Sequence, residues 1–147
     1  MNYQIFIRKY YLLTILLLII FYQGCTFEKP NKNNGFIQSS TGLKYKVLKE
    51  GRGEPVKVGQ EILIHEKMLY MNDSLLFNSR NLPHPVKVLI GGNQVIKGID
   101  EALPGMKKGE IKKLIIPPHL SKRIGTQTFP HPDSTLVYEI ELIEILN

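Results

Sequence analysis

The sequence predicts an α+β fold, in which an antiparallel sheet of five to six strands packs around one short helix. Three observations carry this. Apolar and polar residues alternate at period two over most of the stretch 41–146. A single segment, Ile96 to Met106, shows helical spacing instead, with Ile99, Leu103 and Met106 falling on one side. Clusters of Gly, Pro and Asn separate the runs.

The elements follow in order. Leu43, Tyr45 and Val47 alternate with Lys44 and Lys46, the pattern of a half-buried strand. Gly51-Arg52-Gly53-Glu54-Pro55 is a turn cluster. Glu61 to Tyr70 reads as a second strand, with a more continuous apolar run through Ile62, Leu63 and Ile64. Asn72-Asp73-Ser74 predicts a hairpin-like turn before Leu75-Leu76-Phe77. Pro83 and Pro85 break the chain, and Val86 to Ile90 resumes a strand that ends at Gly91-Gly92. Pro104-Gly105 stops the helical segment and keeps it short. Glu110 to Ile116 is a strand closed by Pro117-Pro118, and a loop then reaches Ser134. The last strand, Thr135 to Leu146, carries Leu136, Tyr138, Ile140 and Leu142 on one face and Glu139 and Glu141 on the other.

The chain has 147 residues, enough for one ordinary domain. Apolar residues make up 43% and charged residues 22%, a globular balance. The formal charge is 19 − 13 = +6. Arg8 and Lys9 belong to a leader without acidic residues, so the remainder carries 17 − 13 = +4. The densest basic pairs, Lys107-Lys108 and Lys112-Lys113, read as solvated surface. No aromatic platform or groove helix accompanies them, and nucleic acid is not expected as a partner. The histidines (His65, His84, His119, His131) lack metal-ligand spacing, and Gly51-Arg52-Gly53 lacks the helix start of a phosphate loop. No metal or other cofactor is expected.

The one cysteine, Cys25, cannot form an intramolecular disulfide, but its position is informative. Arg8 and Lys9 precede an apolar run from Leu12 to Phe21, the pattern of a secretory signal. The uncharged stretch from Tyr10 to Thr26 is shorter than the roughly 20 residues of a spanning helix. Tyr22-Gln23-Gly24-Cys25 resembles a bacterial lipoprotein cleavage box, with Gly24 and Cys25 in place and Tyr22 and Gln23 departing from the usual residues. Residues 1–24 are therefore expected to be a signal peptide. Residues 25–40 are expected to be a lipidated cysteine with a polar, Asn- and Lys-rich tether, and residues 41–147 the folded domain. The alternative is an uncleaved N-terminal anchor with an incidental cysteine. Both readings put the domain outside the cytoplasm, in the bacterial cell envelope and at a membrane.

Several segments then resemble one family. Gly42 to Gly53 is similar to the first strand of bacterial FKBP-type peptidyl-prolyl isomerases, and Val58-Gly59-Gln60 with Ile64-His65 to the entry of their second. Gln94-Val95-Ile96-Lys97-Gly98-Ile99-Asp100-Glu101-Ala102-Leu103 resembles the family's most distinctive stretch. Met106-Lys107-Lys108-Gly109-Glu110, Leu114-Ile115-Ile116-Pro117-Pro118 and Thr135 to Leu142 follow in the family's order. The resemblance implies a sheet wrapped around one short helix, with a proline pocket between them.

It also implies site residues. Phe77 falls on a pocket phenylalanine, and Val95 and Ile96 on the pair whose backbone meets substrate. Tyr138 replaces a phenylalanine, Ile99 a floor tryptophan, and Asn78 an aspartate. Glu66 and Val86 stand where a tyrosine and a phenylalanine are usual. The loop from Leu120 to Gly125 lacks a tyrosine, and Phe129 could supply a replacement wall. These changes predict a shallower, wetter pocket and weak macrolide binding. The expected function is isomerisation of proline-containing segments of exported or envelope proteins, by a monomer held at the membrane through its lipid. The alternative is a chaperone or binding module with little catalysis, within an envelope complex such as a gliding or secretion machine.

Overall fold

Two ten-residue strands, β3 (Glu61–Tyr70) and β7 (Leu136–Ile145), are the longest of the sheet. They pair antiparallel over almost their full length, from Ile62 opposite Ile145 to Tyr70 opposite Leu136. The structure is a computed structural model that describes residues 35–122 and 130–146. The remaining strands are β1 (Ile37–Gln38), β2 (Lys44–Lys49), β4 (Leu75–Asn78), β5 (Val86–Leu89) and β6 (Ile111–Ile116). Together they make a seven-stranded sheet in the order β1-β2-β6-β7-β3-β4. β5 shares an edge of β3 with β4. It pairs with Glu61 to Ile64, whereas β4 pairs with Lys67 to Leu69.

The strand beyond the expected five or six is β1, which lies within the stretch read from sequence as tether. Two residues are too few to show periodicity. A tight turn defines the strand instead: Ser39 N–H donates to the Leu43 carbonyl at 2.8 Å, and Gly42 adopts φ +90°. A side chain at Gly42 would resist that left-handed backbone.

Alternation along β3, β6 and β7 puts Ile62, Ile64, Leu114, Ile116, Ile140 and Leu142 on one face, all fully buried. Removing each such side chain from water contributes about 1.5–3 kcal/mol. The face is covered by α1 (Lys97–Ala102), which buries Gly98, Ile99 and Ala102. α1 is shorter than the apolar spacing suggests. Ile96 is still extended at φ −66° and ψ 152°, and Gly105 at φ +84° turns the chain away after Leu103. Leu103 and Met106 continue the buried side as core residues of the following turn.

α1 lies very close to β6. A Cβ added at Gly98 would sit 2.5 Å from Ile116 Cγ2. Two more short elements lie where loops were expected, a 3₁₀ turn (Ser79–Asn81) and α2 (Pro118–Ser121). Pro118 starts α2 because the first helical position needs no N–H donor.

Lys112 corrects the sequence reading. It is buried at 7% exposure on the sheet's inner face, not solvated beside Lys113.

Candidate active site

Strand register assembles the site. Phe77 on β4 is opposite Met68 on β3, and Met68 is opposite Tyr138 on β7. Tyr138 is in turn opposite Leu114 on β6, and Leu114 opposite Tyr45 on β2. Residues directly opposite across antiparallel strands share a face. Phe77, Met68, Tyr138, Leu114 and Tyr45 therefore form one row across the inner face. Burial is graded along it. Leu114 is fully enclosed and Tyr138 is 5% exposed, while Met68 and Phe77 are half-buried. The row is enclosed at its centre and half-buried towards both ends, at Phe77 and at Tyr45. The Tyr138 hydroxyl donates to Met68 Sδ at 2.8 Å, which fixes the ring.

The chain entering α1 lies across the same inner face. Ile96 is the residue before the helix and Ile99 lies in its first turn, and both are core residues at 4% and 2% exposure. Val95 is half-buried against the core. Val86 on β5 is opposite Ile64, and it too is half-buried against the core. The candidate residues thus divide. Ile96, Ile99 and Tyr138 are enclosed, while Phe77, Val95 and Val86 are half-buried.

Two polar candidates have structural duties. Glu66 is opposite Ile140 and half-buried, and its N–H donates to Ser79 Oγ at 2.8 Å. The Ser79 hydroxyl is fully buried and also bonds His65 Nδ1 at 3.1 Å. Asn78 Oδ1 accepts the Arg80 N–H at 3.0 Å, so Asn78 caps the 3₁₀ turn. Phe129 and Cys25 lie outside the described residues. Sequence reasoning missed Met68, the residue that joins Phe77 to Tyr138. It also missed Leu120, which α2 buries in the core.

A cavity of about 140 Å³ is lined by His65, Glu66, Lys67, Ile111, Glu139 and Glu141, with Asn78 and Arg80 at the β4 side. Arg80 pairs with Glu141 there. Its lining is mostly charged, whereas the inner row is apolar.

The architecture has counterparts in known proteins. A family model described as FKBP-type peptidyl-prolyl cis-trans isomerase matches residues 52–143. The isomerase FkpA of Escherichia coli is 36% identical over 119 residues, covering 80% of this chain and 43% of its own. FK506-binding protein 1 of Dictyostelium discoideum is 36% identical over 103 residues, covering 69% of this chain and 96% of its own. The crystal structure of E. coli FkpA superposes with a TM-score of 0.67 at 36% identity, over 78% of this chain and 53% of that one. The crystal structure of AtFKBP13 superposes with a TM-score of 0.66 at 30% identity, over 76% and 98%. The chain spans less than half the length of FkpA, and the correspondence lies in the folded domain. On the match along the sequence and the agreement of fold, the chain belongs to the FKBP-type peptidyl-prolyl cis-trans isomerase family.

Proposed function

We propose that this protein is a peptidyl-prolyl isomerase that acts on exported or envelope polypeptides while held at a membrane by a lipid on Cys25. The observation that carries the activity is the inner row, half-buried at Phe77 and enclosed at Tyr138, with Ile96 and Ile99 in the same buried cluster as Tyr138. Relatives named as peptidyl-prolyl isomerases, FkpA of E. coli and Mip of Chlamydia pneumoniae at 34% identity, support it.

The chemistry asks little of the protein. Rotation about an amide costs about 18–20 kcal/mol because resonance holds the bond planar. The twisted amide is less charge-separated than the planar one. An apolar cleft that strips water from the amide therefore favours the twisted form. Backbone donors around Val95 and Ile96 can hold the carbonyl as it rotates. The proline ring sits against Phe77 and Met68, with Val86 as a small wall. A nucleophile or a proton-transferring pair is not required.

A second reading is a binding module with little catalysis, and one observation favours it. Glu66, a carboxylate, stands half-buried on the inner face in the row next to Phe77 and Met68. Magnetisation exchange between cis and trans forms of a short proline peptide separates the two readings. Exchange accelerated by the protein and lost in Phe77→Ala supports the isomerase. Binding of the peptide without acceleration supports the module. For the anchor, Cys25→Ser should release the protein from membranes into the soluble fraction, and full retention on membranes would contradict lipidation.

A further inference from the structure

α1 has six residues, too few to be stable alone, so its position depends on what holds it. Gly98 presses against Ile116 on one side. At its fourth residue, Asp100 Oδ1 accepts the Gly91 N–H at 2.7 Å, tying the helix to the turn after β5. At the C-terminal end a charge is used. Lys112 extends from β6 beneath the helix, and its Nζ donates to the Ala102 carbonyl at 3.0 Å. The last carbonyls of a helix lack intrahelical donors and carry partial negative charge, so a cation is favoured there. The ammonium is otherwise met by Glu110 Oε1 at 3.5 Å and by the Tyr45 ring, with 5.4 Å to its centroid. Even with these partners, a buried ion pair is often no more stable than well-packed apolar residues. An apolar residue on that face would pack more cheaply.

We infer that Lys112 is a positioning residue for the proline site. Its buried ammonium clamps the C-terminal end of α1 to β6 and so sets where Ile96 and Ile99 lie in the cluster they share with Tyr138. The inference rests on the isomerase reading for its effect on catalysis, but the clamp itself does not. Burial holds the Lys112 ammonium below its ordinary titration range, and Glu110 offsets this only in part. That balance agrees with a charge kept for its geometry.

The test uses the full chain and two readouts. Removing Lys112 alone would strand Glu110, which is buried at 5% exposure, so the variant is Glu110→Gln with Lys112→Met. The glutamine amide keeps an acceptor for the Lys107 N–H that Glu110 Oε2 holds at 3.1 Å. The expected result is an unchanged or higher urea midpoint. The α1 amides of Asp100 and Leu103 exchange faster, and kcat/KM falls about tenfold or more. A purely structural role would instead lower stability and activity together. Unchanged α1 exchange, or full activity in the folded variant, overturns the inference. If the variant fails to fold, the wild type decides. Its Lys112 ammonium protons should exchange slowly and show contacts to Ala102 and Leu103, and a fast-exchanging ammonium overturns the clamp. If the wild type has no isomerase activity, that reading fails, while amide exchange still decides whether the clamp exists.

Discussion

Tyr138 and Met68 are directly opposite each other on β7 and β3, and the tyrosine hydroxyl donates to the methionine sulfur at 2.8 Å. This contact sits midway along the row from Phe77 to Tyr45. It orients the one enclosed aromatic ring that the proposed pocket retains.

Tyr138→Phe tests that contact. The ring and its burial remain, and a hydrogen bond with a neutral, weak acceptor is lost. Stability should fall by about 0.5–1.5 kcal/mol. Isomerase activity should persist, because the wall is unchanged. Tyr138→Ala removes the wall as well and should cost about 3–5 kcal/mol. Urea unfolding of the two variants measures both, and a phenylalanine as costly as alanine would contradict this account of the site.

Gly98→Ala sets two effects against each other. Alanine improves helix propensity by about 1 kcal/mol over glycine. Its Cβ would meet Ile116 Cγ2 at 2.5 Å, and overpacking of this kind costs about 1–3 kcal/mol. Ile116 is fully buried on a central strand and has little room to move. A net loss of about 1–2 kcal/mol is expected. A gain in thermal midpoint would mean that α1 stands further from β6 than described.

The pH dependence of Lys112 has a definite sign. Desolvation lowers its folded pKa below the usual 10.5, and Glu110 raises it only partly. Between that lowered value and 10.5 the unfolded chain binds more protons than the folded one. Stability contributed by this site therefore rises with pH in that window. Below the window both states are protonated and the cost of the buried charge is constant. Urea midpoints compared from neutral to alkaline pH should show the wild type gaining on the Glu110→Gln, Lys112→Met variant as 10.5 is approached. A constant or widening deficit would contradict a buried cation at this position.

Much of this was legible in the sequence. Period two gave β7 its correct faces, the apolar run through Ile62 to Ile64 marked β3 as a strand, and Pro117-Pro118 and Pro104-Gly105 marked real ends. What was missed lay in relations between strands. Nothing local shows that Met68 sits between Phe77 and Tyr138, because register is set by distant pairing. β1 is too short for any pattern. Lys112 is the instructive case. Its identity, next to Lys113, suggests solvent, yet its parity with Leu114 and Ile116 places it inside. The structure follows the parity, with the Ala102 carbonyl and Glu110 receiving the charge.

The central claim is that the inner row from Phe77 to Tyr138 forms a working proline site. Proline-limited refolding of a model protein tests it most directly, run with the wild-type chain and with Phe77→Ala. Phe77 is half-buried on the edge strand β4, so the variant should remain folded. The account predicts that the wild type accelerates the slow phase in proportion to its concentration and that Phe77→Ala loses most of that acceleration. A folded wild type that leaves the slow phase unchanged at high concentration, or a Phe77→Ala variant as active as wild type, would contradict it.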